Sequence, residues 1–161
     1  MQIGEQMKLT HILKREIQAP IAKTILEGFM VQFGKTEAIK ALNNIIEEDA
    51  KKSGKEMAHL FGGNSMKDLA KIVREVWAED NAMVMDFLEE SDDKLSFNVT
   101  KCRYAEVYEK NKIRELGVCL SCNRDKPFTK AFNFEIDLIR TKTIMEGEKI
   151  CDFRFVKHKS P

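Results

Sequence analysis

The stretch SMKDLAKIVREVWAEDNAMVMDFLEESDDKLSFNVTKC, residues 65–102, changes its hydrophobic period part-way along. Its first part is helical. Ser65 followed by Asp68 makes a capping-box pair. Leu69, Ile72, Val73, Val76 and Trp77 then recur at helical spacing, and Val84, Phe87 and Leu88 extend the stripe, so the helix is expected to run on through Ser91. After Ser91-Asp92-Asp93-Lys94 the period becomes two. Leu95, Phe97 and Val99 fall on one face of a strand.

Upstream of Ser65 the chain reads as helix throughout. Residues 7–17, MKLTHILKREI, form a short amphipathic segment, and Pro20 suits the first turn of a second one that Gly34 closes. Thr36 is placed to cap a third helix, with Ala38, Leu42, Ile45 and Ile46 on one face and Gly54 as its end. Downstream, residues 103–122 suggest two short helices breaking near Asn111 or Gly117, and residues 123–133 a loop turning at Pro127. Residues 134–158 suggest two strands joined at Glu146–Lys149, where Gly147 can take the positive φ of a tight hairpin. The expected fold class is α+β: a helical N-terminal half packed on a small antiparallel β-sheet from the C-terminal half. Residues 1–161 are read as a single domain, with 1–90 the helical layer and 95–157 the mixed α/β part that carries the site.

Composition narrows the function. The chain has 161 residues, 43% hydrophobic and 33% charged, enough for a core without disulfides. Its net charge of +1 supplies no global field for nucleic acid or an acidic membrane surface, so neither partner is expected. The start carries no signal-peptide pattern, and no apolar run approaches the roughly 18 residues that span a bilayer. A cytoplasmic location follows as the expectation, with cysteines kept as thiols. A homo-oligomer stays open, with Met83 and Met85 as candidate contacts, although core filling is the plainer use of both.

All four cysteines, Cys102, Cys119, Cys122 and Cys151, lie beyond residue 101. Cys119 and Cys122 form one CxxC without a second pair, so zinc needs convergence in space. Each cysteine can equally be a small core hydrophobe. Their polar neighbours are more informative. Asp125 follows Cys122, Arg103 and Glu106 follow Cys102, Asp152 follows Cys151, and Arg140 and Thr141 read as part of a strand. Arginine binds carboxylate through a planar fork, aspartate can hold an ammonium or a water, and a thiol can attack. Such a set suits a small carboxylated molecule. Arg140 and Asp152 could instead be solvated cross-strand ion-pair members. Tyr104 and Tyr108 can offer hydroxyls or simply edge the core. His11, His59 and His158 all lie outside the cysteine-rich stretch; a His-dependent triad needs His59 to fold over it, and a loop histidine between helices is the plainer reading of His59.

The segments CRYAEVYEKNKIRELG (102–117), CLSCNRD (119–125) and LIRTKTIMEGEKICDFRF (138–155) resemble the L-2-amino-thiazoline-4-carboxylic acid hydrolase family. The matching positions are Cys102, Tyr104, Glu106, Leu116, Gly117, Cys122, Asp125, Arg140, Thr141, Gly147, Cys151, Asp152 and Phe153. Cys119 departs from the pattern. The resemblance implies hydrolytic opening of a cyclic isothiourea bearing a carboxylate, giving a carbamoyl-cysteine. It implies Cys122 or Cys151 as nucleophile and Asp125 or Asp152 as proton carrier or amidine clamp, with Glu106 a further proton-transfer candidate. Arg140 would hold the carboxylate, with Thr141, Tyr104, Cys102 and Arg103 completing the binding set. Attack by water, with the cysteines lining the pocket, is the competing route. No cofactor is expected. The alternative is a non-catalytic sensor or binding module for a small molecule, or for zinc, iron or haem held through cysteine.

Overall fold

The computed structural model describes residues 9–158. Helix α1, His11–Phe33, is capped by the Thr10 side chain, which accepts from the Leu13 N–H. It is one helix where two were expected, and Pro20 lies inside it. Pro20 sits on an exposed face, while Ile12, Ala19 and Leu26 keep one inward stripe running past it. Helix α2, Lys35–Leu60, begins directly after Gly34, whose φ of +84° makes the turn; Thr36 lies within the helix and caps nothing. Gly54 does not end α2. It is buried where α2 meets a later helix, and a Cβ there would collide with the Phe128 carbonyl and lie 3.0 Å from the Phe132 nitrogen. Ile45 is 65% exposed and takes no part in the core.

Helix α3, Met66–Ile72, has the capping box that Ser65 and Asp68 foretell, and its last turn widens into a π-turn at Val73–Trp77. The chain then leaves the helix. Asp80 (φ 57°) and Asn81 (φ 53°) adopt left-handed geometry, which short polar side chains tolerate best. Strand β1, Met83–Glu90, follows, correcting the expectation of helix through Ser91. Met83, Met85 and Phe87 point inward in strict alternation, with Val84 and Leu88 exposed on the other face. Strand β2, Lys94–Cys102, pairs with β1 antiparallel, from Met83 opposite Cys102 to Glu90 opposite Leu95.

Helices α4, Arg103–Lys110, and α5, Arg114–Leu120, break at 111–113. The segment expected as loop is helix α6, Asp125–Phe132, with Pro127 in its first turn, where a missing N–H costs nothing. Strands β3, Ile136–Ile139, and β4, Cys151–Lys157, pair antiparallel, and the sheet order is β1-β2-β4-β3. No tight hairpin joins them. Residues 140–150 form a longer loop with a 3-10 turn at Ile144–Glu146 closed by Gly147 (φ 98°), so Arg140 and Thr141 lie in loop and not in strand.

The fold is α+β, a helical N-terminal half with a four-stranded antiparallel sheet in the C-terminal half. One core joins the sheet to α3 and α6. Leu95, Phe97 and Val99 are fully buried, and Phe97 stacks on Phe153 with ring centroids 4.9 Å apart. A second core joins α1 and α2 to α4 and α5 through Ile12, Leu26, Leu42, Tyr104, Tyr108 and Leu116. Met83, Cys102 and Ile144 border both. No helix among the described residues is long and apolar enough to cross a membrane.

Candidate active site

A cavity of about 340 Å³ is lined by residues of both cores. Three of its groups come from strand ends: Cys102 closes β2, Cys151 opens β4, and Arg140 stands one residue beyond β3. Cys122 and Asp125 come from the tight turn that leads into α6. Tyr104 reaches in from the first turn of α4. An antiparallel sheet puts the ends of neighbouring strands side by side, which is how cysteines distant in sequence come to share one wall.

Arg140 organises this wall. One terminal nitrogen contacts the Asp125 carboxylate and the other donates to the Cys122 carbonyl at 3.0 Å. The guanidinium carbon lies 5.2 Å from the centroid of the Phe153 ring. The side chain is only 9% exposed, yet its Nε–H has no hydrogen-bond partner among the described residues. A buried unpaired guanidinium N–H is costly.

The thiols are held neutral. Burial pushes Cys102 up to about 11, against the pull of the Ala105 and Tyr104 backbone. Burial and the Asp125 charge push Cys122 up, against Arg140. Cys151 is raised by burial too, although the Ile144 N–H donates to its sulfur at 3.2 Å. Burial also raises the Asp125 carboxyl, and the adjoining Arg140 guanidinium opposes that rise.

Cys102, Tyr104, Cys122, Asp125, Arg140 and Cys151 therefore converge, while four other sequence candidates stand outside this cavity. Asp152 accepts from the Thr141 N–H at 2.9 Å, the Lys142 N–H at 2.6 Å and the Thr141 hydroxyl at 2.6 Å, so it fastens the 140–150 loop to β4. Thr141 lines a neighbouring polar cavity of about 360 Å³, which shares Cys122 and Arg140 with the first. Glu106 lies on the exposed side of α4, 3.7 Å from Lys101. Arg103 reaches Glu16 at 3.0 Å and the Asp80 carbonyl at 2.6 Å, tying α1 to the turn before β1. Cys119 is buried in the second core and does not line the cavity, so the CxxC does not act as a pair. Among the described residues no group of three or more His, Cys, Asp or Glu is arranged to hold a metal ion.

The opposite wall comes from the helical half, and sequence reasoning missed it. His11, Arg15 and Gln18 share one face of α1, and Asp49 and Ser53 one face of α2. Arg124 bridges to this wall through Asp49 at 2.6 Å and Ser53 at 3.3 Å. Trp77 packs edge-on against Phe128, with centroids 5.3 Å apart, and forms an apolar floor with Phe153. The one readable signal was the i, i+4, i+7 spacing of His11, Arg15 and Gln18. His59 does not line the cavity, and it lies in the last turn of α2 rather than in a loop between helices.

A family model described as L-2-amino-thiazoline-4-carboxylic acid hydrolase matches residues 14–155. The chain belongs to this family. The match takes in the helical half as well as the segments that carry the resemblance. This L-2-amino-thiazoline-4-carboxylic acid hydrolase family member is similar in fold to two solved structures. One is a trafficking protein particle complex subunit 3 from Naegleria fowleri, covalently bound to palmitic acid, with 13% identity, TM-score 0.52, and coverage of 89% of this chain and 97% of that one. The other is the phenol-responsive sensory domain of the transcription activator PoxR with phenol, with 11% identity, TM-score 0.55, and coverage of 95% of this chain and 77% of that one. A search of curated proteins found no match.

Proposed function

We propose that the protein is a hydrolase that opens a small cyclic substrate carrying a carboxylate, with 2-amino-thiazoline-4-carboxylate as the representative. The observation that carries this reading is the Arg140 guanidinium, fixed by Asp125, beside three thiols in one cavity. A substrate carboxylate entering the cavity pairs with this guanidinium charge, and the Asp125 contact holds the guanidinium plane in place while it does so. The ring then lies against Cys102, Cys122 and Cys151. Because burial keeps these thiols protonated, water is favoured over a resting thiolate as the attacking group, and the sulfurs shape the pocket. Hydrolase activity is also the reading that the family description supports.

The test is a ring-opening assay followed by release of the free thiol product. Arg140→Gln is expected to raise KM at least tenfold, because the carboxylate loses its charged donor. Asp125→Asn is expected to lower kcat/KM by loosening Arg140. Cys122→Ala and Cys151→Ala, replaced singly, are expected to retain measurable turnover if water attacks, and to abolish it if a thiol does. Full wild-type activity in Arg140→Gln and Asp125→Asn together with both cysteine variants sinks the assignment.

A second reading has its own support. Trp77, Phe128 and Phe153 give the cavity an aromatic floor, and the two structures of similar fold are described with palmitic acid and with phenol. These favour a non-catalytic module that senses or stores an apolar small molecule. Binding of phenol or a fatty acid without turnover of the ring substrate would select it. Stoichiometric zinc or iron, lost on replacing Cys102, Cys122 or Cys151, would select the metal or haem version.

A further inference from the structure

Hydrolysis by water needs a proton acceptor, and the groups around the cavity leave few. Asp125 is committed to Arg140 and Asp49 to Arg124. Glu56 is 56% exposed and sits 3.9 Å from Lys52. The three thiols are protonated. His11 is different. Its Nδ1 lies 2.9 Å from the Tyr104 hydroxyl, and that hydroxyl donates to the Trp77 carbonyl at 2.8 Å. A phenol has one proton, and a carbonyl can only accept. The Tyr104 proton is therefore spent on Trp77, and the His11–Tyr104 bond must be donated by the imidazole Nδ1–H. This fixes the tautomer. Nε2 is left with a lone pair and with no hydrogen bond to a described residue, on a ring that lines the cavity.

We propose that His11 is the general base of the hydrolysis, its Nε2 accepting the proton of the attacking water while Tyr104 holds the ring in the Nδ1–H form. The inference rests on the hydrolase reading above. In the first step the water oxygen bonds to the carbon between nitrogen and sulfur. The C=N electron pair moves to the ring nitrogen, and Nε2 carries the water proton to it. In the second step the adduct's hydroxyl proton passes through Nε2 to sulfur, the C–S pair leaves with sulfur, and C=O forms. His11 ends each step neutral, and the balance is one water added and one C–S bond broken.

The surroundings keep the acceptor lone pair free and at the same time weaken it as a base. Burial lowers the imidazole to about 4, helped by Arg15, Arg124 and Lys14 and opposed by Glu79, so the ring stays neutral at ordinary pH. The substrate carboxylate brings a negative charge that raises its basicity on binding.

Two measurements decide the matter. Imidazole ¹⁵N spectra of the labelled wild-type protein should show a protonated Nδ1 and an unprotonated Nε2 for His11, and Tyr104→Phe should release that preference. In the ring-opening assay His11→Gln should lower kcat about a hundredfold or more with KM changed less than about threefold. A proton on Nε2 in the wild type overturns the proposal, as does wild-type kcat in His11→Gln. The spectrum needs no variant, so a poorly folding His11→Gln protein leaves the test standing. A wild type with the expected tautomer but no ring opening would sink the hydrolase reading and the base role with it, whereas turnover with the wrong tautomer would sink the base role alone.

Discussion

His11 shows how a side chain's unused hydrogen-bonding capacity marks a site, and Arg140 how a fixed charge does. Arg140 spends its terminal nitrogens on Asp125 and Cys122, and His11 spends Nδ1 and keeps Nε2. The histidine also leaves a thermodynamic trace. Its folded-state value near 4 lies below the ordinary 6.5, so the unfolded chain binds the proton first. The contribution to stability is complete above pH 6.5 and is lost as pH falls from 6.5 toward 4. A shift of this size corresponds to on the order of 3 kcal/mol at most, reduced where solvent reaches the ring. Urea unfolding at pH 7.5 and pH 4.5 should show this difference in the wild type, and His11→Gln should flatten it. An equal pH dependence in the variant would assign the effect to other groups.

At the scale of elements, Gly54 is the most informative position. In an exposed helix a change to alanine stabilises by about 1 kcal/mol. Here α2 and α6 approach so closely that a Cβ would strike the Phe128 carbonyl, which belongs to the backbone of α6 and cannot rotate away. Gly54→Ala is therefore expected to destabilise by about 1–3 kcal/mol, read as a lower Tm. An unchanged or raised Tm would mean that α6 shifts freely. Such a shift would move Asp125 at the start of α6, and so Arg140, so the variant's activity should fall with its stability. Strand β1 carries a different lesson. Its Met83, Met85 and Phe87 alternate in sequence, but Val84, Phe87 and Leu88 also fit a helical stripe, and an apolar run of this length satisfies both periods. Pairing with β2 decides between them, because the turn at 91–93, closed by the Ser91 N–H donating to the Lys94 carbonyl, folds β2 back alongside this segment.

For the molecule as a whole, the cavity joins two cores that meet through few residues, so a ligand there should act as a staple. 2-Amino-thiazoline-4-carboxylate at about 100 times its Kd should stabilise the folded protein by about 2.7 kcal/mol, seen as a rise in Tm that Arg140→Gln suppresses at the same concentration. An equal rise in both proteins would place the ligand elsewhere. The cysteine wall of this site was legible beforehand, since Cys102, Cys122, Asp125, Arg140 and Cys151 are chemically distinctive residues in a distinctive order. Asp152, Thr141, Glu106 and Arg103 have the same chemistry in the same neighbourhood, and only their hydrogen bonds to loop, lysine and helix show that they lie outside the cavity. By itself the sequence determined the α+β class, the capped start of α3, the inward face of β2 and the family, because each is written in local period, capping chemistry or residue order. The tertiary structure alone decided that His11 and Trp77 line one cavity with three of the thiols and that Cys119 does not. Those relations join residues far apart in the chain, and no local pattern encodes which distant surfaces will be pressed together when the two cores close.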